Sequence, residues 1–233
     1  MNNDRAAGSD LVVPEIAKAI PPLLLYQILW WFRARLEGWR LAPAFWFHVM
    51  MSFLRKSPCP KLFSQLKGMC LIAFLNKWFL SCCMLLSENI PRPRKWRHIC
   101  NYGFEKGREV VDVAGSIMIL LNRSHEWADE CPAFIFEGDL KSAFDYMSHS
   151  IAEEAMVAAG WPENLIAAVH SSNRTSTCSA TIAELEVEDF HINACYRQGS
   201  VEGPRIWKMI MMHVLSLIVP LWFEMGYGLR IHG

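Results

Sequence analysis

Phe136-Glu137-Gly138-Asp139-Leu140-Lys141-Ser142-Ala143-Phe144-Asp145 is the stretch on which the reading of this chain turns. An apolar run, Ala133 to Phe136, leads into it and reads as a short buried strand that delivers Asp139 just past its end. A carboxylate in that position is suited to hold Mg2+ against phosphates. By residue type alone, Asp139 equally suits capping of the turn that follows, and Asp145 suits capping of the next helix.

A second block lies downstream, Arg197-Gln198-Gly199-Ser200-Val201-Glu202-Gly203-Pro204, and opens a long apolar stretch that starts near Ile206. Its glycine allows close backbone approach, and Arg197 and Gln198 offer donors to sugar and phosphate oxygens. In this order and at about this separation, the two blocks resemble the palm motifs of reverse transcriptases of the non-LTR retrotransposon type. There the first reads roughly F-x-x-D-x-x-x-A-F-D and the second R-Q-G-x-x-x-x-P.

The resemblance implies roles. Asp139 would be the catalytic metal ligand, and the carbonyl of Leu140 would help hold the nucleotide-side ion. Phe144 would lie under the incoming sugar and exclude a 2′-hydroxyl by steric clash. Arg197, Gln198 and Gly199 would face the nucleotide.

Upstream, Lys67 falls where the family's fingers carry a triphosphate-binding Arg, and Lys77 matches a second basic position. A Lys lacks the bidentate fork of Arg, and both equally suit snorkelling from an apolar helix. Tyr102 to Asp112 resembles the G-F-x-x-G-R segment that touches template and primer, with Gly103, Phe104, Gly107 and Arg108 matching. The basic loop around Arg92, Arg94, Lys95 and Arg97 offers phosphate contacts, with Trp96 available for stacking.

The fold so implied is α+β: a right-hand polymerase fingers and palm fragment, helix-rich, with a small antiparallel palm sheet. Residues 1–130 would form a helical N-terminal and fingers-like region, and 131–233 a partial palm. The implied activity is Mg2+-dependent, RNA-directed DNA polymerisation. Its partners would be an RNA template, a DNA primer and deoxynucleoside triphosphates.

The family's palm also carries a hairpin with paired Asp. This chain has no Asp after Asp189 and no adjacent Asp pair; Glu202 and Glu224 are the only later acids. Two-ion chemistry needs carboxylates that bridge both metals. The expectation is therefore a domain truncated before that hairpin, which holds Mg2+ weakly or not at all and does not polymerise DNA by itself. The alternatives are a non-catalytic RNA-binding or structural remnant, or a helical membrane-associated protein.

Composition is compatible with a globular core: 52% of residues are hydrophobic, with ten Trp and thirteen Phe, and 23 basic side chains face 23 acidic ones. Zero net charge gives no bulk attraction to nucleic acid, so any such binding must come from local basic patches. Eight Cys show no C-x-x-C pair and no zinc-type spacing, which fits reduced thiols in an intracellular protein. The polar N-terminus excludes a secretory signal there. Two apolar runs, 69–86 and 209–223, are interrupted by Lys77, His213 and Pro220, and read as buried core helices rather than membrane spans.

Punctuation by Pro and Gly predicts helices over 11–19, 23–37, 44–55, 116–127, 150–159 and 204–223. Leu25, Ile28, Leu29, Phe32 and Leu36 should form a buried stripe. Residues 175–182 and 190–196 should pair as a hairpin around the acidic Glu184 to Asp189.

Overall fold

The structure is a computed structural model. It describes residues 7–56, 58–59, 61–62, 65–96, 101–105, 107–126, 135, 137–182, 185–192 and 196–227. The fold is helix-rich α+β. Helices α1 (Pro14–Lys18) and α2 (Pro22–Leu36) precede strands β1 (His48–Arg55) and β2 (Leu66–Ile72). Then come α3 (Phe74–Glu88), α4 (Val110–Glu126), α5 (His149–Ala158) and α6 (Glu163–Arg174), the strands β3 (Thr177–Ile182) and β4 (Leu185–His191), and α7 (Gly203–Glu224).

The strands form one sheet in the order β2-β1-β3-β4. It is mixed rather than antiparallel: β1 runs antiparallel to β2 but parallel to β3, and β3 and β4 form an antiparallel hairpin. The predicted hairpin therefore forms, but its second strand begins in the acidic run and takes only Phe190 and His191 from the predicted 190–196, of which 193–195 lie outside the described residues. Acidic residues on an edge strand discourage pairing with a further chain.

The predicted helix over 44–55 is replaced by a short 3-10 turn, Ala44–Trp46, and by β1. Within β1, Val49 is buried and Met51 and Phe53 half-buried, while Met50, Ser52 and Leu54 are exposed. That alternation is the period of a strand, and it prevails over the Pro43 start signal. The apolar run 69–86 divides in the same way, into β2 and α3.

Helix α3 shows why the core sits where it does. Its buried residues Asn76, Phe79, Leu80, Cys83, Met84 and Ser87 recur at three- and four-residue spacing, one face of an α-helix. Of these, Phe79, Leu80, Cys83 and Met84 join Phe32, Trp46, Met156, Val169, Ile206 and Ile210 in one cluster that draws on both sides of position 130. At its centre Trp46 is fully buried and meets Trp31, Phe32 and Phe79 at ring-centroid distances of 4.5, 6.0 and 6.1 Å.

The Arg35 guanidinium lies 4.7 Å from the Trp46 ring and 4.2 Å from that of Phe79, and donates to Ser172 Oγ at 2.7 Å and Asn76 Oδ1 at 3.3 Å. Burial pulls its pKa down to about 10. On α2 the stripe holds at Leu25, Ile28, Phe32 and Leu36, but Leu29 is exposed.

The N-terminal stretch also has a structural task. Asp10 accepts the backbone N–H of Leu75 at 3.2 Å in the first turn of α3. A Cβ on Gly8 would fall 2.1 Å from the Ile72 carbonyl oxygen, so only glycine fits there.

Two helices leave apolar surface uncovered. No α4 side chain is buried, although Val110, Met118, Ile119 and Leu121 lie on it. Helix α7 packs into the core through Ile206, Met209, Ile210 and Met212, while Leu217, Leu221, Trp222 and Phe223 are exposed. The run 209–223 is thus a core helix over its first part only. Among the described residues, α7 is the one helix long and apolar enough to cross a membrane.

Candidate functional site

Four of the predicted site residues, Phe104, Phe144, Gln198 and Gly199, meet at a corner formed by the turn after residue 196, the first block, the 102–105 segment and β2. Tyr196 N–H donates to the Phe144 carbonyl at 3.3 Å, and Gln198 Nε2 donates to Asp145 Oδ1 at 3.1 Å. The Gln198 carbonyl in turn accepts the Cys70 N–H of edge strand β2 at 2.9 Å. Gly199 has φ +96°, and a Cβ there would stand 3.3 Å from the Cys70 carbonyl oxygen. A left-handed residue pressed against backbone is a place for glycine. The two blocks, 58 residues apart from Asp139 to Arg197, are thereby tied to each other and to β2.

Phe144 is half-buried between Phe104, edge-on at 6.5 Å, and Trp207, tilted at 6.1 Å. A Cβ on Gly203 would lie 3.5 Å from its ring. Phe104 itself has φ +54° and remains exposed. The 102–105 segment, the first block and the start of α7 thus share one aromatic contact.

Arg197 departs from the expectation that it faces a nucleotide. It is 2% exposed, and its guanidinium reaches Glu202 Oε1 at 3.1 Å and Ser176 Oγ at 3.3 Å, with Glu202 itself fully buried. Turned inward, it pins the loop to the start of α7 and the end of α6. Asp145 departs from the helix-cap expectation: α5 begins after Ser148, and Asp145 is engaged by Gln198 instead.

Asp139 and Leu140 stand apart from this corner. Residues 137–140 are irregular and exposed, followed by a turn in which Asp145 N–H donates to the Ser142 carbonyl at 2.9 Å. The predicted strand at 133–136 lies outside the described residues save Ile135, which is not in a strand. Among the described residues, no three of His, Cys, Asp and Glu come together as a metal site. An exposed carboxylate without such a cluster among the described residues does not by itself make a two-ion centre.

Lys67 is exposed on β2, three residues before Cys70, opposite Leu54. Gly103 and Arg108 flank the aromatic contact: Gly103 N–H donates to Asn101 Oδ1 at 3.0 Å, and the Arg108 guanidinium lies 4.9 Å from the Tyr102 ring. Trp96 is 5% exposed, so it is not the free stacking platform expected from the basic loop.

Sequence reading missed Glu105, which is paired with both Arg92 and Lys208. Burial alone would raise its carboxyl; hydrogen bonds from Lys208 and Arg92 outweigh that and hold it below its ordinary value. It missed as well a buried group beneath the corner. The His149 ring stands 5.5 Å from that of Tyr196 and 6.3 Å from that of His170, which faces Glu153 at 3.6 Å. Burial lowers the His170 pKa and raises that of Tyr196.

No family model matches the chain, and no curated protein matches its sequence. Nine chains of solved structures match. One is apo telomerase from Candida tropicalis, truncated from its C-terminal domain, at 13% identity and a TM-score of 0.48. The match covers 80% of this chain and 41% of that one, so this chain spans about two fifths of that structure's length.

Proposed function

We propose that this chain is the fingers and part of the palm of an RNA-directed DNA polymerase of the non-LTR retrotransposon type. As this polypeptide it engages RNA template and DNA primer without transferring nucleotides. The observation that supports the reading is the corner itself. Phe104, Phe144 and the Gln198-Gly199 pair, which belong to three separate motifs, meet through the Phe104–Phe144 ring contact and the Gln198–Asp145 hydrogen bond. Unrelated motif matches scattered over a chain of this length have no reason to converge.

In this reading the Gly199 turn presents a flat backbone edge to a nucleotide, and Phe144, wedged by Phe104 and Trp207, limits the space beside the sugar. Lys67 and Arg108 supply exposed cations at the margins. Mg2+ and deoxynucleoside triphosphates belong to a site with further carboxylates, and the protein would work inside the cell.

The test has two arms. Anisotropy with a labelled RNA–DNA hybrid is expected to show binding that weakens steeply with salt. Absence of such binding at low salt would overturn the reading. Primer extension with Mg2+ or Mn2+ is expected to give no product; template-dependent incorporation lost in Asp139→Asn would overturn the claim that the chain is inactive.

A further inference from the structure

Between the end of α3, the 90–96 loop, Phe104 and the first half of α7 lies a cavity of about 500 Å3. That volume is within the range of small-ligand sites, about 300–1,000 Å3. Trp96, Trp161, Phe104 and Met209 line it, and its charged lining consists of Arg92, Arg205 and Lys208 with Glu88 and Glu105.

The charges do not balance. Arg92 and Lys208 share Glu105, and Arg205 meets Glu88 at 3.0 Å, which leaves three cations against two carboxylates. Arg94 and Lys95, exposed on the same loop, make no ion pair among the described residues. The positive charge therefore extends beyond the cavity along the loop, in a chain of zero net charge. Trp96 adds a buried indole N–H with no hydrogen-bond partner among the described residues, a group for which any acceptor would be favourable.

We propose that this cavity takes one unpaired nucleotide of a single-stranded RNA. The base enters against the exposed Phe104 ring with the indole N–H of Trp96 at the floor, and the flanking phosphates rest along Arg94 and Lys95, which make no ion pair among the described residues. A base offers a π-face and edge acceptors to such walls, and stacking on aromatic side chains tolerates any sequence. A row of cations continuing outside the cavity suits a strand of phosphates better than a single one. The proposal rests on the reading above and gives it a second contact, since Phe104 is both a wall of the cavity and the ring against Phe144.

The test uses the full chain and a 12-residue RNA carrying 5-iodouridine, with photocrosslinks mapped by mass spectrometry. Crosslinks to Phe104, Trp96 or Trp161 are expected; crosslinks confined to residues outside the lining overturn the proposal. In parallel, Val201→Trp, which adds bulk to a half-buried wall, is expected to weaken single-strand binding about tenfold and to leave hybrid binding unchanged. Arg94→Gln/Lys95→Gln should lower the slope of log K against log salt by about 1.4, roughly 0.7 for each phosphate left without its cation.

Unchanged single-strand affinity in a folded Val201→Trp protein overturns the cavity while hybrid binding keeps the broader reading. Loss of both kinds of binding in the unaltered chain overturns both. Uridine monophosphate, or an acidic peptide, competing as strongly as the 12-mer overturns the assignment to a strand.

Discussion

Phe144 and Asp139 are five residues apart in one motif, yet the chain holds them by opposite means. Around Phe144 the contacts are built: Phe104 and Trp207 against the ring, Tyr196 on its carbonyl, Gln198 on the adjoining Asp145, Gly199 against Cys70. Around Asp139 the backbone is irregular and the side chain is exposed. The aromatic ring and the turn are held by apolar contact and hydrogen bonds. A carboxylate that is to hold metal ions needs further carboxylates and a buried frame, and among the described residues no such cluster forms around Asp139.

The sharpest way to break the corner is through Arg197. Replacing it with Met leaves Glu202 buried without its cation, and removing one member of a buried pair costs about 3–5 kcal/mol. Urea unfolding should show that loss. The double substitution Arg197→Met/Glu202→Leu should recover most of it, because two apolar groups carry no desolvation penalty. If the double variant is as unstable as the single, the pair is not what pins the loop.

Gly199→Ala comes next. It forces a side chain into a left-handed conformation and within 3.3 Å of the Cys70 carbonyl oxygen, so a loss of about 1–2 kcal/mol is expected, with faster hydrogen exchange at the Cys70 amide. An unchanged midpoint would show that the turn is not pressed against β2. Gln198→Ala is milder. It removes one partly exposed hydrogen bond to Asp145, and about 0.5–1 kcal/mol is expected by the same unfolding measurement.

How far the sequence spoke for itself follows the same division. The apolar runs that hold α3 and the first part of α7 are legible as core, though the first of them also contains the end of β2, and the corner is legible because its residue types form an ordered motif. Strand β1 was hidden behind Pro43, since a local start signal competes with an alternation that matters only once β2 and β3 lie on either side. The inward turn of Arg197 was hidden too. Its partner Glu202 is five positions on, a spacing that no helix or strand rule pairs, and only the fold closes the distance. Asp10, which caps α3 from 65 residues away, has no local signature at all.

Asp139→Asn should be the least consequential change, and it sharpens the comparison most. An exposed carboxylate in irregular backbone, with no hydrogen bond or ion pair among the described residues, contributes little to stability, so the unfolding midpoint should move by no more than about 0.5 kcal/mol. Binding of an RNA–DNA hybrid should likewise hold, or strengthen slightly as one negative charge near the phosphates is removed. The informative measurement is hybrid affinity with and without added Mg2+. If Asp139 stands alone, Mg2+ will weaken binding equally in both proteins, by screening and competition for phosphates. A gain in affinity with Mg2+ that disappears in Asp139→Asn would mean that the nucleic acid itself completes an ion site at this residue, and the two regions would then differ in what they wait for rather than in whether they are built.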